Sequence, residues 1–315
     1  MGLSSDWPHL VDFIARHRRE PLALATLVAC EGSSYRQPGA RLLVNRQGDF
    51  SGSLSGGCLE EGLARVAQKV LADGKTRTER IDTKPHFGCP GVLTILIESI
   101  APDGLFETII DSLATRQTLT LTTSSTGTSL TPGAGHTETI TPPPRLIVVG
   151  WTSDQDPLFQ MAQLLNWECH RILKDPVMRK SFPQIANEHL SHCPPEDLTR
   201  EFIPDSSTAV LIMSHHLASD LSFLRAAAQA GYPYLGLLGS RRRRETLLNE
   251  LGDYGLLEEN TWLQNLHAPV GLDLGAEHPS TIALAILAEI QAIFAKKGAG
   301  FLSRKQEPAP QSSSS

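Results

Sequence analysis

The residues most able to do chemistry lie in Gly52-Ser53-Leu54-Ser55-Gly56-Gly57-Cys58-Leu59-Glu60-Glu61, where a thiol follows two adjacent glycines. Gly56 and Gly57 remove two Cβ atoms where the backbone bends, so a ligand could come close to main-chain N–H groups at the start of the next helix. The positive end of a helix dipole favours thiolate over thiol, and the thiolate is the form that binds soft metals or carries sulfur. Glu60 and Glu61 place negative charge in the same first turn and oppose that ionisation. From this segment alone, a reactive cysteine and a small buried cysteine behind a glycine turn both remain open. A second turn, Pro85-His86-Phe87-Gly88-Cys89-Pro90-Gly91, again combines glycine, proline and cysteine. Arg36 and Arg41 bracket Pro38-Gly39, and Arg241 opens a run of four arginines after Gly239-Ser240. Each can hold an anion or be a solvated surface cation, and the run from Arg241 can equally form an intersubunit salt-bridge cluster.

These groups need elements to position them. Ala40 to Val44 and Phe50 to Leu54 alternate like half-buried strands around the turn Arg46-Gln47-Gly48-Asp49. Leu59, Leu63, Val66, Val70 and Leu71 recur at helical spacing until Asp73-Gly74. Upstream, Trp7 to Arg19 predicts an amphipathic helix with Leu10, Val11, Ile14 and Ala15 inward, and Leu22 to Cys30 an apolar strand. Thr76 to Asp82 and Val92 to Glu98 predict strands on either side of the Cys89 turn. Residues 127–144 shift to Thr, Gly and Pro and are expected as a linker between a first domain, 1–126, and a second, 145–300. The tail, 301–315, ends in Pro, Gln and four serines and is expected to be disordered.

After the linker, Leu146 to Gly150 is an apolar strand, Pro157 to Leu165 a helix and Cys169 to Leu173 the next strand, which is how a dinucleotide-type βαβ unit begins. Thr208 to Met213 and Tyr234 to Leu238 continue the series. The expected fold class is α/β: a small N-terminal α/β domain followed by a Rossmann-like doubly wound parallel sheet. The first turn reads Gly150-Trp151-Thr152-Ser153-Asp154-Gln155, with one glycine where G-x-G-x-x-G needs several, so weak or absent NAD(P) binding is expected. Asp175, before Pro176, is expected to cap or turn the chain. The adjacent His215 and His216 are expected to point different ways.

Composition narrows the classes. Forty per cent hydrophobic and twenty per cent charged residues are ordinary for a globular protein, and a net charge of −6 argues against a broad nucleic-acid surface. Five cysteines, an odd count with no C-x-x-C pair and no zinc spacing, argue against a disulfide scaffold. No run approaches the roughly 18 apolar residues of a membrane span. The start has neither a basic region nor an apolar core, so a soluble, cytoplasmic protein is expected.

Several blocks together carry a resemblance: Glu31-Gly32-Ser33-Ser34-Tyr35-Arg36, Pro38-Gly39-Ala40, Gly52 to Glu60, Gly236-Leu237-Leu238-Gly239-Ser240-Arg241-Arg242-Arg243 and Ala268 to Ala276. In this order they resemble the XdhC/CoxI family, the xanthine dehydrogenase accessory factors, over nearly the whole chain. The resemblance implies a molybdenum-cofactor (molybdopterin) chaperone that supports sulfuration by a cysteine desulfurase and delivers its cargo to a xanthine-dehydrogenase-type apoenzyme. It also implies a homodimer. Carried onto this chain, it makes Ser55, Gly56, Gly57 and Cys58 cofactor-binding, with Cys58 as metal ligand, Cys89 as a second cysteine, and Arg36, Arg41 and Arg241 as anion contacts. It implies no catalytic residue. An NAD(P)-dependent oxidoreductase and a partner-docking scaffold are the alternatives. The chain departs from the family pattern at Gly150-Trp151-Thr152-Ser153-Asp154, Cys89-Pro90-Gly91 and Ser214-His215-His216-Leu217.

Overall fold

The computed structural model describes residues 7–32, 34–57, 59–84, 91–175, 177, 188–255 and 260–304. Its contacts divide the chain into two compact units at Pro143–Pro144.

The first unit opens with α1 (Trp7–Arg16), then β1 (Leu22–Gly32), β2 (Arg41–Val44), β3 (Phe50–Gly52), α2 (Glu60–Asp73), β4 (Arg77–Asp82), β5 (Gly91–Ile100) and α3 (Leu105–Ala114). Five strands form an antiparallel sheet in the order β3-β2-β1-β5-β4. Alternation assigns each strand two faces. Ala23, Ala25 and Leu27 of β1 and Leu42 and Val44 of β2 meet Leu63, Ala64, Ala67 and Val70 of α2. Leu22, Leu24 and Leu43 meet Trp7, Leu10, Phe13 and Ile14 of α1, together with Phe106 and Ile109. Two expectations change accordingly. The buried stripe of α1 is Trp7, Leu10, Phe13 and Ile14, because the aromatic residues claim the interior and Ala15 faces out. β2 is covered on both faces, not half-buried. α2 stops where Gly74 takes a left-handed φ of 67° and its N–H donates to Val70 O.

Residues 127–144, expected as a linker, carry β7 (Gly127–Ser129) and β8 (His136–Ile140), which pair with β6 (Leu119–Ser124) in an antiparallel sheet ordered β7-β6-β8. Threonine is as much a strand former as a loop residue, and Leu119, Leu121 and Ile140 supply the apolar positions that a linker would lack. Buried Glu98 of β5 fixes β7, accepting from the Thr128 hydroxyl at 2.6 Å and N–H at 3.0 Å.

The second unit runs β9 (Arg145–Val149), α4 (Asp156–Leu164), β10 (Glu168–Ile172), β11 (Glu188–Ser191), α5 (Leu198–Glu201), β12 (Thr208–Ile212), α6 (Leu217–Ala228), β13 (Tyr234–Leu237), α7 (Arg241–Asp253), β14 (Leu266–His267) and α8 (Pro279–Phe294). All six strands are parallel, in the order β11-β10-β9-β12-β13-β14. This is the doubly wound Rossmann order, so the fold class is as expected. Leu146, Val148, Ala209 and Leu211 face α4 and α8, while Ile147, Val149, Val210 and Ile212 face α6 and α7. Coverage on both faces is why these strands read as unbroken apolar runs. Among the described residues no helix is long and apolar enough to cross a membrane. The tail from residue 305 lies outside the described residues.

Candidate functional site

Between β3 and α2 the backbone folds around one carboxylate. Glu60, the first residue of α2, is 2 % exposed. Its Oε1 accepts from the Ser53 hydroxyl at 2.8 Å and from the N–H groups of Leu54 and Ser55, each at 2.9 Å. Its Oε2 accepts from the Ser55 hydroxyl at 2.6 Å and from the N–H groups of Gly57 and Leu59, each at 3.0 Å. Burial alone would raise the Glu60 pKa. The hydrogen bonds from Ser55, Ser53 and Leu54 outweigh it and hold the group at about 2. Gly56 and Gly57 adopt φ of 80° and 120°, a region costly for residues with a Cβ, as the loop turns around the carboxylate.

The expected open anion cradle is therefore corrected. The described N–H groups of the loop are not held out to a ligand: four serve Glu60, and that of Gly56 donates to the Ser53 hydroxyl at 3.0 Å. Ser55, expected to bind cofactor, is buried with its hydroxyl shared between Glu60 and the Leu59 N–H. Counting Glu60 only as a charge near a thiol misses its hydrogen-bonding reach. Cys58 and Cys89 lie outside the described residues.

The structure brings a second loop against this one. Tyr35, in the β1–β2 connection, lies so close to Gly56 that a Cβ there would meet its Cε1 at 3.3 Å and Cδ1 at 3.4 Å. Among the described residues, chain neighbours apart, a Cβ on Gly57 would meet nothing within 4 Å. Arg36 follows on the Tyr35 loop and is partly exposed. Arg41, expected as an anion contact, is 2 % exposed instead. It pairs with Glu138, donates to Gly39 O at 2.9 Å and lies with its guanidinium carbon 5.1 Å from the Trp7 ring centroid. A strand covered on both faces leaves a cation no route to water, so it takes an internal partner. In the sequence Tyr35 is one residue of a polar loop, and its size among Gly, Ser and Pro is the only signal that sets it apart.

In the second unit, the turn after β9 stands at the point where strand order reverses, between β9 and β12. Gln155 is 0 % exposed and fills it. Its Nε2 donates to Met213 O at 2.7 Å and to the Thr152 hydroxyl at 3.1 Å, and a Cβ on Gly150 would stand 2.1 Å from that nitrogen. Gly150 therefore makes room for a glutamine. Asp154 and His215 meet at 3.1 Å. His216 turns the other way and caps α6, accepting from the Ser219 N–H. Asp175 accepts from the Val177 N–H at 2.8 Å, turning the chain. Arg243 bonds buried Asp220 at 2.6 Å, and Arg241 is exposed at the first position of α7. Among the described residues no group of three or more His, Cys, Asp and Glu could hold a metal ion.

A model of the XdhC and CoxI family matches residues 15–82, and a model of the XdhC Rossmann domain matches residues 146–290, together more than half of the chain. The molybdenum cofactor insertion chaperone PaoD of Escherichia coli (strain K12) is 27 % identical over 285 residues, covering 86 % of this chain and 82 % of that protein. A Bacillus subtilis (strain 168) protein described as a probable xanthine dehydrogenase subunit is 28 % identical over 322 residues, covering 86 % and 93 %. A crystal structure described as a xanthine dehydrogenase from Bacillus halodurans superposes with a TM-score of 0.71 at 27 % identity, covering 97 % of this chain and 98 % of that one.

Proposed function

Because the chain belongs to the XdhC and CoxI family, we propose that it is a molybdenum-cofactor insertion chaperone for a xanthine-dehydrogenase-type molybdoenzyme. The observation that carries this reading is the Glu60-locked loop, which holds the bare Gly56-Gly57 backbone in a fixed shape directly before residue 58. A carrier must hold its cargo without transforming it, and a preset loop lowers the ordering cost of doing so.

In this proposal the Cys58 thiolate is the soft ligand for molybdenum, Gly56 and Gly57 permit close approach, and Arg36 contacts the anionic tail. Arg241 is proposed as an anion contact of the second unit by itself. The cargo is received, sulfurated with the help of a cysteine desulfurase, and passed on by a cytoplasmic homodimer. Cys89 supports the same cargo. The oxidoreductase alternative is disfavoured by Gln155, which would have to leave the turn before a dinucleotide could approach Gly150.

The test is to mix purified protein with molybdenum cofactor, separate bound from free by gel filtration, and assay the molybdenum and pterin retained. Wild type should retain both, and Cys58→Ala should lose most of the molybdenum. Failure of the wild type to retain cofactor sinks the proposal, and equal retention by both proteins removes the role given to the thiol.

A further inference from the structure

An aromatic side chain that supports a fold is buried, and Tyr35 is 81 % exposed. It is nevertheless not on a slack loop. The Ser34 hydroxyl donates to Arg36 O at 2.6 Å, the Ala40 N–H to Gln37 O at 3.1 Å and the Gly39 N–H to Leu27 O at 2.8 Å, so both ends of the connection are tied down. One side of the ring leans on Gly56, with Cε1, Cδ1 and Cζ at 3.3, 3.4 and 3.8 Å from where a Cβ would stand. A Cβ at 56 would be tighter against the ring than an ordinary contact, and at φ 80° it would strain the backbone as well. Beside it, no described residue other than its chain neighbours stands within 4 Å of where a Cβ on Gly57 would lie.

Together these form a corner: a flat ring as one wall, backed by main chain, and beside it a glycine floor locked by Glu60. The exposed ring is a flat, apolar and polarisable surface, and a planar heteroaromatic group is the partner that uses such a surface fully.

We propose that Tyr35 is the stacking platform for the heteroaromatic ring of the cargo and thereby selects flat bicyclic ligands; this rests on the carrier function proposed above. The ring is a pterin or, if the cargo carries a nucleotide, its base. Tyr35 holds the ring.

The test uses the full chain with two probes, neopterin and guanosine monophosphate, each titrated by fluorescence quenching, alongside cofactor retention by gel filtration. Tyr35→Phe keeps the ring, and Tyr35→Leu keeps apolar bulk without it. Because the side chain is exposed, all three proteins should melt together. Neopterin should bind wild type and Tyr35→Phe alike and Tyr35→Leu about 5- to 100-fold more weakly. Preference for guanosine monophosphate with the same variant pattern would assign the platform to the base. Equal affinity of Tyr35→Leu and wild type for both probes, or no binding of either by wild type, overturns the platform. Cofactor retention by wild type in that case leaves the carrier function standing, whereas absence of retention alone counts against the carrier function.

Discussion

Replacing Glu60 by glutamine exchanges one oxygen for an NH2 group and should unlock the loop between β3 and α2. Each carboxylate oxygen faces three donors, two of them backbone N–H groups. Whichever way the new amide turns, its NH2 meets one of these sets and strands two N–H groups, both buried on the Leu54/Ser55 side and one of them, that of Leu59, buried on the Gly57/Leu59 side, at about 1–3 kcal/mol for each buried group. A second route to the magnitude is the depressed pKa. A carboxyl held at about 2 rather than 4.5 corresponds to about 3 kcal/mol at neutral pH, or about 2 kcal/mol allowing for solvent near the loop. Glu60→Gln should therefore lower stability by about 2–4 kcal/mol, a drop in Tm of about 10 °C. The native pKa is depressed, so the contribution of Glu60 is complete above about pH 4.5 and is lost as pH falls towards 2. The gap between variant and wild type should stay constant from about pH 7 to 5 and close below about 4.5. Thermal unfolding followed by circular dichroism at about pH 7, 5 and 3 measures it, and taking the difference cancels the acid sensitivity common to both proteins. A variant within about a degree of wild type at neutral pH, or a gap unchanged in acid, would refute the role of Glu60 as the anion that shapes the loop.

Arg41→Met breaks the buried pair with Glu138 and should lower stability by about 2–4 kcal/mol in urea unfolding. Cofactor retention per folded molecule should stay unchanged; a stable variant that loses retention would restore Arg41 as a ligand contact. Burial pushes the thiols of Cys169 and Cys193 up to about 12, so neither should be alkylated in the native protein at about pH 8. Of the three described cysteines, half-exposed Cys30 should be labelled before the other two when the same sample is read by mass spectrometry, and early labelling of Cys169 or Cys193 would contradict the packing of the second unit.

The second unit is largely legible in the sequence because strands such as Leu146 to Val149 and Val210 to Ile212 are covered on both faces and must be apolar throughout. The sheet of β6, β7 and β8 is not. Thr, Gly and Pro in 127–144 satisfy loop statistics as well as edge-strand statistics, and what decides between them is long-range: the tie from Glu98 to Thr128 and the pairing of β8 with β6 around Leu121 and Ile140. Arg41 is misread for a related reason. Its neighbours Leu42, Leu43 and Val44 mark a strand, but periodicity cannot tell whether the second face is covered. The helix that ends at Asp73 follows from its apolar spacing, whereas the clasp made by its first residue does not, because a side chain bonding to the loop before it leaves no periodic trace.

At two turns where backbone donors could meet a phosphate, before α2 and after β9, the space is taken by a side chain of the protein itself. Glu60 consumes the backbone donors before α2, and Gln155 stands where Gly150 would admit a pyrophosphate. An internal carboxylate at about 2 is fully charged at any physiological pH, so a phosphate approaching the first turn would meet like charge, with its natural donors already in use. In the carrier proposed above, an anionic tail at the first unit is therefore left to arginine side chains such as Arg36. These interactions are screened by salt, while a ring held on Tyr35 is not. High salt should then weaken the hold on the tail and spare the hold on the ring. A carrier that must release its cargo to another protein gains from that division, since the charged contacts can be exchanged for the recipient's own while the ring is still in place.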